Sequence, residues 1–139
     1  HTHLLITANT FAAAGPCTEM VAYEIICNAL TTTVSGADID LAAVARNRHP
    51  ERASGMEARM GAEAGHLAAR QRITREQANE MVKQILIQYE HKFGDPPLGK
   101  RFDECYDLDT IQPAQEYLDL YEQIKEKLTK FELDYSLLL

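Results

Sequence analysis

The sequence predicts a mostly α-helical fold that begins with one short strand. An apolar run at residues 4–6 leads into a Gly15-Pro16 turn, and residues 18–34 are apolar on most faces. A helix that is apolar nearly all round is a buried helix. Later segments carry apolar residues at three- and four-residue spacing, which is typical of helices with one buried face. A strand, a Gly-Pro turn and a buried helix in that order indicate one half of a βαβ unit.

The Gly-Pro turn and the helix after it have local signals of their own. Gly15 can turn at positive φ, and Pro16 has a fixed φ that suits a first helical turn. The helix ends near Gly36, which can adopt the left-handed conformation that follows many helices.

The remaining elements follow from periodicity and caps. A second helical stretch is predicted at residues 38–46, and a third helix, rich in Ala and Gly, at 56–70. Thr74 and Gln77 form a capping box before an apolar stripe that extends to Phe93. A linker at residues 98–112 precedes a last helix, which Pro113 opens.

Composition restricts the partners of the chain. It has 139 residues and a formal net charge of −7, which argues against nucleic acid and against an anionic membrane surface. The sequence contains no apolar run near the roughly 20 residues of a membrane helix and no visible signal peptide. Its three cysteines have no C-x-x-C spacing, which suits a reducing cytoplasm and speaks against a disulfide scaffold or a zinc site.

Cys17 and a set of charged residues on the third helix each have a functional and a structural interpretation. Cys17 lies close to a helix N-terminus and could have a lowered pKa, but a small buried hydrophobe is the favoured interpretation. Glu63 and His66 share the i, i+3 spacing of di-metal helices, and Glu57 and Arg59 lie beside them. Because no second Glu-x-x-His is present, a solvated or ion-paired face is favoured and no metal site is predicted.

Four blocks of the sequence carry a family resemblance. They are Ala14-Gly15-Pro16-Cys17-Thr18-Glu19-Met20, Ser54-Gly55-Met56-Glu57-Ala58-Arg59-Met60, Phe102-Asp103-Glu104-Cys105-Tyr106-Asp107 and Glu116-Tyr117. In order and approximate spacing, from about residue 2 to residue 133, these blocks resemble the carboxy-terminal part of the monomethylamine:corrinoid methyltransferases.

The resemblance implies a (β/α)8 barrel, of which this chain contains about the final third. Residues 1–36 would supply the last barrel strand, the Gly-Pro turn and the buried helix, and residues 37–139 a carboxy-terminal helical elaboration of the same structural unit. A full barrel needs roughly 200–250 residues. The pyrrolysine that distinguishes the family, and the segment that would carry it, are not among these 139 residues.

The resemblance also implies a reaction and a site. The family transfers a methyl group from methylamine to the cobalt of a separate corrinoid protein, so we expect methylamine and a corrinoid protein as partners, a homo-oligomer, and no cofactor or metal bound directly. Asn9 falls where the family places an amide near the pyrrolysine adduct. With Thr18 and Glu19 it forms the predicted rim of the active site, while helix capping is the structural alternative for Thr18 and Glu19. The catalytic residues themselves are unknown.

A second hypothesis assigns the chain no catalysis. It is then a helical module derived from the barrel that self-associates through helices 18–34 and 56–70, because large exposed apolar patches are rare on monomers.

Overall fold

The computed structural model describes residues 4–44, without the side chains of 41–44, and residues 49–138. The elements in chain order are β1 (Thr7–Phe11), α1 (Glu19–Val34), β2 (Asp38–Val44), α2 (Gly55–Arg70), α3 (Arg75–Leu86), α4 (Phe102–Cys105), β3 (Tyr106–Asp107), β4 (Gln112–Pro113) and α5 (Gln115–Thr129). Short 3₁₀ turns lie at Pro50–Arg52, Glu90–Lys92 and Tyr135–Leu138. The prediction of a mostly helical chain is confirmed.

The segment after α1 is a strand, so the predicted helix at residues 38–46 is wrong over its described part. β2 pairs in parallel with β1, and Ala8 lies opposite Ile39. The segment begins Asp38-Ile39-Asp40, which alternates polar and apolar residues with the period of a strand. Ile39 packs against the core, whereas Asp38 and Asp40 are exposed. β1, α1 and β2 therefore form a complete βαβ unit.

The first strand also differs from its prediction. It begins at Thr7, so residues 4–6 precede it, and β2 follows it in the chain. β1 is therefore not the last strand among the described residues. The predicted boundary at residue 36 lies between β1 and β2, which pair with each other. Residues 38–44 therefore lie beside β1, and the division of the chain into two segments otherwise stays a prediction.

The two-stranded sheet has one covered face and one open face. Thr10 is buried on the α1 side, where its hydroxyl donates to Asn28 Oδ1 at 2.7 Å. The opposite face carries Asn9 and Phe11, and Phe11 is 60% exposed. Residues 4–6 before the strand are 58% to 90% exposed. Apolar side chains are therefore exposed both on the open face and in the segment before the strand.

α1 lies at the centre of the core, as its apolar faces predict. It packs against α2, α3 and α5 as well as the sheet, and its buried residues are Met20, Val21, Ala22, Tyr23, Ile25, Ile26, Cys27, Ala29, Leu30 and Thr32. The small residues of α2 permit a close approach to β2. A Cβ atom at Gly65 would lie 2.6 Å from Ile39 Cδ1, so a larger residue here would displace the end of the Ile39 side chain.

Helix ends follow the prediction at two sites and depart from it at two. Gly36 adopts the predicted left-handed conformation after α1, with φ of 80°. Thr74 and Gln77 form the predicted capping box of α3. α3 ends at Leu86, earlier than the predicted Phe93, and Tyr89 beyond it stacks on Tyr23 with ring centroids 6.0 Å apart. Pro113 does not open the last helix, because it pairs with Tyr106 in a short hairpin.

None of the helices in the described part of the chain is both long enough and apolar enough to span a membrane.

Candidate functional site

The candidate site is the turn that follows the carboxy end of β1. In folds built from βα units, ligands bind beside the loops that follow the carboxy ends of parallel strands. Residues 12–18, here called the β1–α1 turn, occupy that place. The amino-terminal end of α2 lies on the same side, because α2 follows the carboxy end of β2.

Two backbone segments cross at this turn. The Gly15 N–H donates to the Pro97 carbonyl at 2.9 Å, and the Lys100 N–H donates to the Pro16 carbonyl at 2.9 Å. A Cβ atom at Gly15 would lie 1.7 Å from the Leu98 carbonyl oxygen. Gly15 does not adopt positive φ, so the structure requires a glycine here for close approach and not for the left-handed turn predicted from the sequence.

The turn is also held by a side chain of α1 and by its own Thr18. The carboxylate of Glu24 accepts hydrogen bonds from the Ala13 N–H at 3.1 Å and the Ala14 N–H at 3.0 Å. Burial raises the pKa of Glu24, and these two hydrogen bonds act in the opposite direction. The Thr18 hydroxyl donates to the Gly15 carbonyl at 2.8 Å and accepts from the Val21 N–H at 3.3 Å.

A buried hydrogen bond joins α2 and α5. The Tyr117 hydroxyl donates to the carboxylate of Glu57. Glu57 is fully buried, which corrects its placement on a solvated face. It also accepts from the Ser54 N–H at 2.6 Å, which completes a capping box at the start of α2. Burial raises the pKa of Glu57 and of Tyr117.

The three predicted rim residues lie around this turn in different environments. Asn9 is exposed on the open face of β1, opposite Asp40 in the register. Thr18 is the N-cap of α1. Glu19, in the first turn of α1, accepts a hydrogen bond from Lys127 Nζ at 2.5 Å. Thr18 and Glu19 thus have structural partners, and their assignment to an active-site rim stays a prediction, as does that of Asn9.

Cys17 is half-buried and adopts φ of 61°, in the left-handed region. Burial raises the pKa of its thiol, with a further contribution from the negative charge of Glu116. The alternative of a thiol with a lowered pKa is therefore wrong. Cys17 lines a surface cleft of about 420 Å³ together with Glu116, Asp119, Leu120 and Gln123.

The Glu63 and His66 pair does not form a metal site in the described part of the chain. Glu63 accepts from Arg59 at 2.6 Å and from the Tyr121 hydroxyl at 2.7 Å, while His66 is exposed. No group of three or more His, Cys, Asp or Glu side chains among the described residues is arranged to hold a metal ion. The predicted ion-paired face is confirmed for Arg59 and Glu63.

Sequence reasoning missed the buried contact between Glu57 and Tyr117. Ser54 and Glu57 have the S-x-x-E spacing of a capping box, which is readable in the sequence. Tyr117 fits the apolar stripe of α5, and nothing in that stripe indicates that its hydroxyl meets a carboxylate 60 residues away.

Comparisons with known proteins agree with one another. The family model for monomethylamine methyltransferase MtmB matches residues 1–133. The chain is similar to monomethylamine methyltransferase MtmB1 of Methanosarcina acetivorans, with 34% identity over 91% of the chain. It is also similar to monomethylamine methyltransferase MtmB of Methanosarcina mazei, with 35% identity over the same share. The chain spans 28% of the length of each of these relatives.

Solved structures give the same result for the fold. The crystal structure of the Methanosarcina barkeri monomethylamine methyltransferase superimposes with a TM-score of 0.86 and 32% identity, over 94% of this chain and 28% of that one. A crystal structure of the hydroxylamine complex of MtmB gives the same values. Both the sequence comparison and the structure comparison match more than nine-tenths of this chain. The chain therefore belongs to the monomethylamine methyltransferase MtmB family.

Proposed function

We propose that this chain is the carboxy-terminal part of a methyltransferase that moves a methyl group from monomethylamine, or a related methylamine, to the cobalt of a corrinoid protein. The observation that carries the proposal is the match to the monomethylamine methyltransferase family over residues 1–133, together with a TM-score of 0.86 to a crystal structure of that enzyme. The chain covers 28% of those relatives, so the activity belongs to a larger protein of which this chain supplies one wall.

The open face of the sheet supports a place in a (β/α)8 barrel. In such a barrel one face of each strand is covered by helices and the other faces the barrel interior. β1 has α1 on one face, and Asn9 and Phe11 on the other. Strands from the rest of the protein would cover the exposed apolar residues 4–6 and Phe11 and close the barrel.

The position of Asn9 gives it a role in this proposal. It lies two residues before the end of β1, on the face that would line the barrel, and its amide has both a hydrogen-bond donor and an acceptor. The amide oxygen can accept an N–H of methylamine and orient it. Thr18 and Glu19 would form the rim at the start of α1, with Thr18 fixing the helix terminus.

The partners are proposed with the reaction. Transfer would break the bond between the methyl carbon and the protonated nitrogen, with ammonia as the leaving group. The electron pair for the new bond to the methyl carbon would come from cob(I), which is oxidised to cob(III), so the corrinoid protein must reach the carboxy ends of the strands. The corrinoid stays with that protein, and this chain binds no cofactor directly. A homo-oligomer in the cytoplasm is proposed on the same resemblance.

Methyl transfer by the natural protein tests the proposal. The protein is purified from its source without oxygen and mixed with monomethylamine and the corrinoid protein in its cob(I) state, and methylation of cobalt is followed by absorbance. We expect turnover that depends on the amine, and none from the 139-residue chain alone. A folded natural protein that does not methylate cobalt with any methylamine contradicts the proposal, and turnover by the isolated chain contradicts the assignment of catalysis to the whole barrel.

The alternative of a non-catalytic, self-associating helical module loses much of its support. It relied on helices 18–34 and 56–70 having no partners, whereas α1 and α2 pack against each other. Sedimentation of the 139-residue chain separates the hypotheses further, since a discrete dimer formed through α1 and α2 would favour the module.

A further inference from the structure

We propose that Asp40 of β2, together with Asn9 of β1, binds the ammonium group of the methylamine substrate on the open face of the sheet. The inference adds one substrate-binding residue to the proposed function and rests on that function for the identity of the ligand. Asp40 is not among the rim residues that the sequence predicts. The pairing of the two strands places it beside Asn9.

The register of the sheet brings the Asn9 amide and the Asp40 carboxylate together. The two residues are direct partners in the parallel pairing of β1 and β2. Neighbouring strands lie about 4.8 Å apart, and the side chains of paired residues leave the same face of the sheet. Thr10 is buried and Ile39 packs against the core, so these next residues of the two strands face the helices. Asn9 and Asp40 are both exposed and share the open face.

This pair lies close to the carboxy end of the sheet, beside an irregularity in the pairing. Asn9 pairs with Asp40 and Phe11 pairs with Val44, so three residues of β2 lie opposite one residue of β1 between the two pairs. An irregularity of this kind bends a strand, redirects its side chains and is frequent beside active sites. Ligands of folds built from βα units bind at the carboxy ends of the strands. Asp40 therefore belongs to the last regular pair before the end at which a ligand is expected.

The open face is polar where a barrel interior is normally apolar. Bulky branched side chains dominate such interiors, whereas this face carries Asp38 and Asp40 of β2 and Asn9 of β1. Removal of a carboxylate from water is costly unless a positive charge and hydrogen-bond donors replace the water. Alkylamines are protonated at neutral pH, as the lysine side chain is. Methylammonium therefore supplies the charge and three N–H donors, two of which Asp40 and the Asn9 amide oxygen can accept.

The same strand provides a matched control. Asp38 is exposed on the same face, two residues before Asp40, and pairs with Thr7 instead of Asn9. Two residues of a strand span roughly 6–7 Å, so Asp38 lies beyond hydrogen-bond reach of an ammonium group held between Asn9 and Asp40. Asp38→Asn and Asp40→Asn change the net charge of the protein equally. A difference between the two variants therefore reports the position of the carboxylate.

The test compares Asp40→Asn with Asp38→Asn in the natural protein. The Kd of methylammonium is measured by equilibrium dialysis with the radiolabelled amine. A hydrogen bond between charged groups contributes a factor of about ten or more to affinity, so we expect Asp40→Asn to raise the Kd at least about tenfold. Asp38→Asn should change the Kd by less than about twofold. Equal effects of the two variants, or an unchanged Kd in Asp40→Asn, overturn the assignment.

A variant that does not fold is replaced by a second pair. If circular dichroism shows that Asp40→Asn is unfolded, Asp40→Ser is compared with Asp38→Ser in the same dialysis measurement. The Kd should again rise at least about tenfold for the substitution at Asp40 and less than about twofold for that at Asp38. Equal Kd values for the two serine variants overturn the assignment.

The failure of this proposal and the failure of the proposed function are distinguishable. A natural protein that binds methylammonium but methylates no cobalt refutes the proposed function, while the Kd values of the two variants still decide the role of Asp40. A protein that methylates cobalt and binds methylammonium equally well in both variants keeps the proposed function and excludes Asp40 from substrate binding. A natural protein that binds no methylammonium overturns this proposal.

Discussion

Gly15→Ala is the substitution whose effect can be predicted most sharply from the crossing of the two backbones. The new Cβ atom would lie 1.7 Å from the Leu98 carbonyl oxygen and 2.5 Å from the Leu98 carbonyl carbon. Carbon–oxygen contacts are normally about 3.3 Å or longer, so one segment must retreat by roughly 1.5 Å. Both contacting atoms belong to backbone, which cannot rotate out of the way as a side chain can.

The retreat has a calculable cost. It breaks the hydrogen bonds from the Gly15 N–H to Pro97 and from the Lys100 N–H to Pro16. Each such bond contributes about 1 kcal/mol, and each buried group left unpaired costs about 1–3 kcal/mol more. We expect a loss of about 4 kcal/mol or more, which is exceptional for one methyl group.

Two other glycines separate the clash from ordinary effects of the substitution. Gly36 has φ of +80° and nothing near its would-be Cβ atom, so Gly36→Ala should cost about 1–2 kcal/mol from backbone strain alone. Gly94 has neither strain nor contact, so Gly94→Ala should be neutral or stabilise by less than about 1 kcal/mol.

Urea unfolding of the natural protein measures all three variants through the shift of the midpoint at constant slope. The predicted order of destabilisation is Gly15→Ala, then Gly36→Ala, then Gly94→Ala. If Gly15→Ala costs no more than Gly36→Ala, the two backbones do not cross as closely as described.

Three further substitutions test the contacts around the turn and the burial of Glu57 in α2. Thr18→Ala removes an N-cap and should cost about 1 kcal/mol in urea unfolding, whereas Thr18→Ser should restore most of the loss. Glu24→Gln leaves one of two backbone N–H groups without an acceptor and should cost about 1–3 kcal/mol, measured in the same way. Burial raises the pKa of Glu57 above its ordinary value of 4.5, so the folded state holds the carboxyl proton more tightly than the unfolded state does. The contribution of Glu57 to stability therefore falls as the pH rises from about 4.5 to the raised pKa. Glu57→Gln should remove that decline from an unfolding series across pH, and an unchanged slope would contradict the raised pKa.

Local patterns were sufficient for α1, α2, α3 and α5 and for the helix ends at Thr74 and Gly36, whereas α4 lies in the segment predicted as a linker. α1 is apolar on most faces because it lies between the sheet and three helices, and that burial is legible in the sequence. The Thr74 and Gln77 capping box marks the start of α3 with residues only three positions apart. Signals of this kind depend on neighbours in the chain, which a sequence pattern records directly.

β2 and the candidate site depended on distant parts of the chain. Asp38-Ile39-Asp40 alternates as a strand does, yet the segment becomes a strand because it pairs with β1, about 30 residues earlier. The crossing at Gly15 joins segments more than 80 residues apart, and Glu57 meets Tyr117 from 60 residues away. The alternation at residues 38–40 is a local signal for the strand, and the prediction of a helix there missed it. The contacts at Gly15 and between Glu57 and Tyr117 have no such local signal, so the sequence does not predict them.

The family resemblance predicts the position of a site, and that site stays a prediction. Asn9 lies in β1, Thr18 is the N-cap of α1 and Glu19 is in its first turn, so the three predicted rim residues flank the β1–α1 turn. The hydrogen bonds that hold the turn come from Glu24, from Thr18 and from the Pro97 backbone. Of these, only the role of Thr18 as a cap is predicted from the sequence, because the contacts of Glu24 and Pro97 depend on packing.

The intact mass of the natural protein in its source cells tests most directly whether this chain is one wall of a larger barrel. Since the chain spans 28% of its relatives, the account predicts a mass between about three and four times 15.6 kDa, with the open face of β1 covered by the remaining strands. A mass near 15.6 kDa would contradict it, because no barrel would then exist to complete the site.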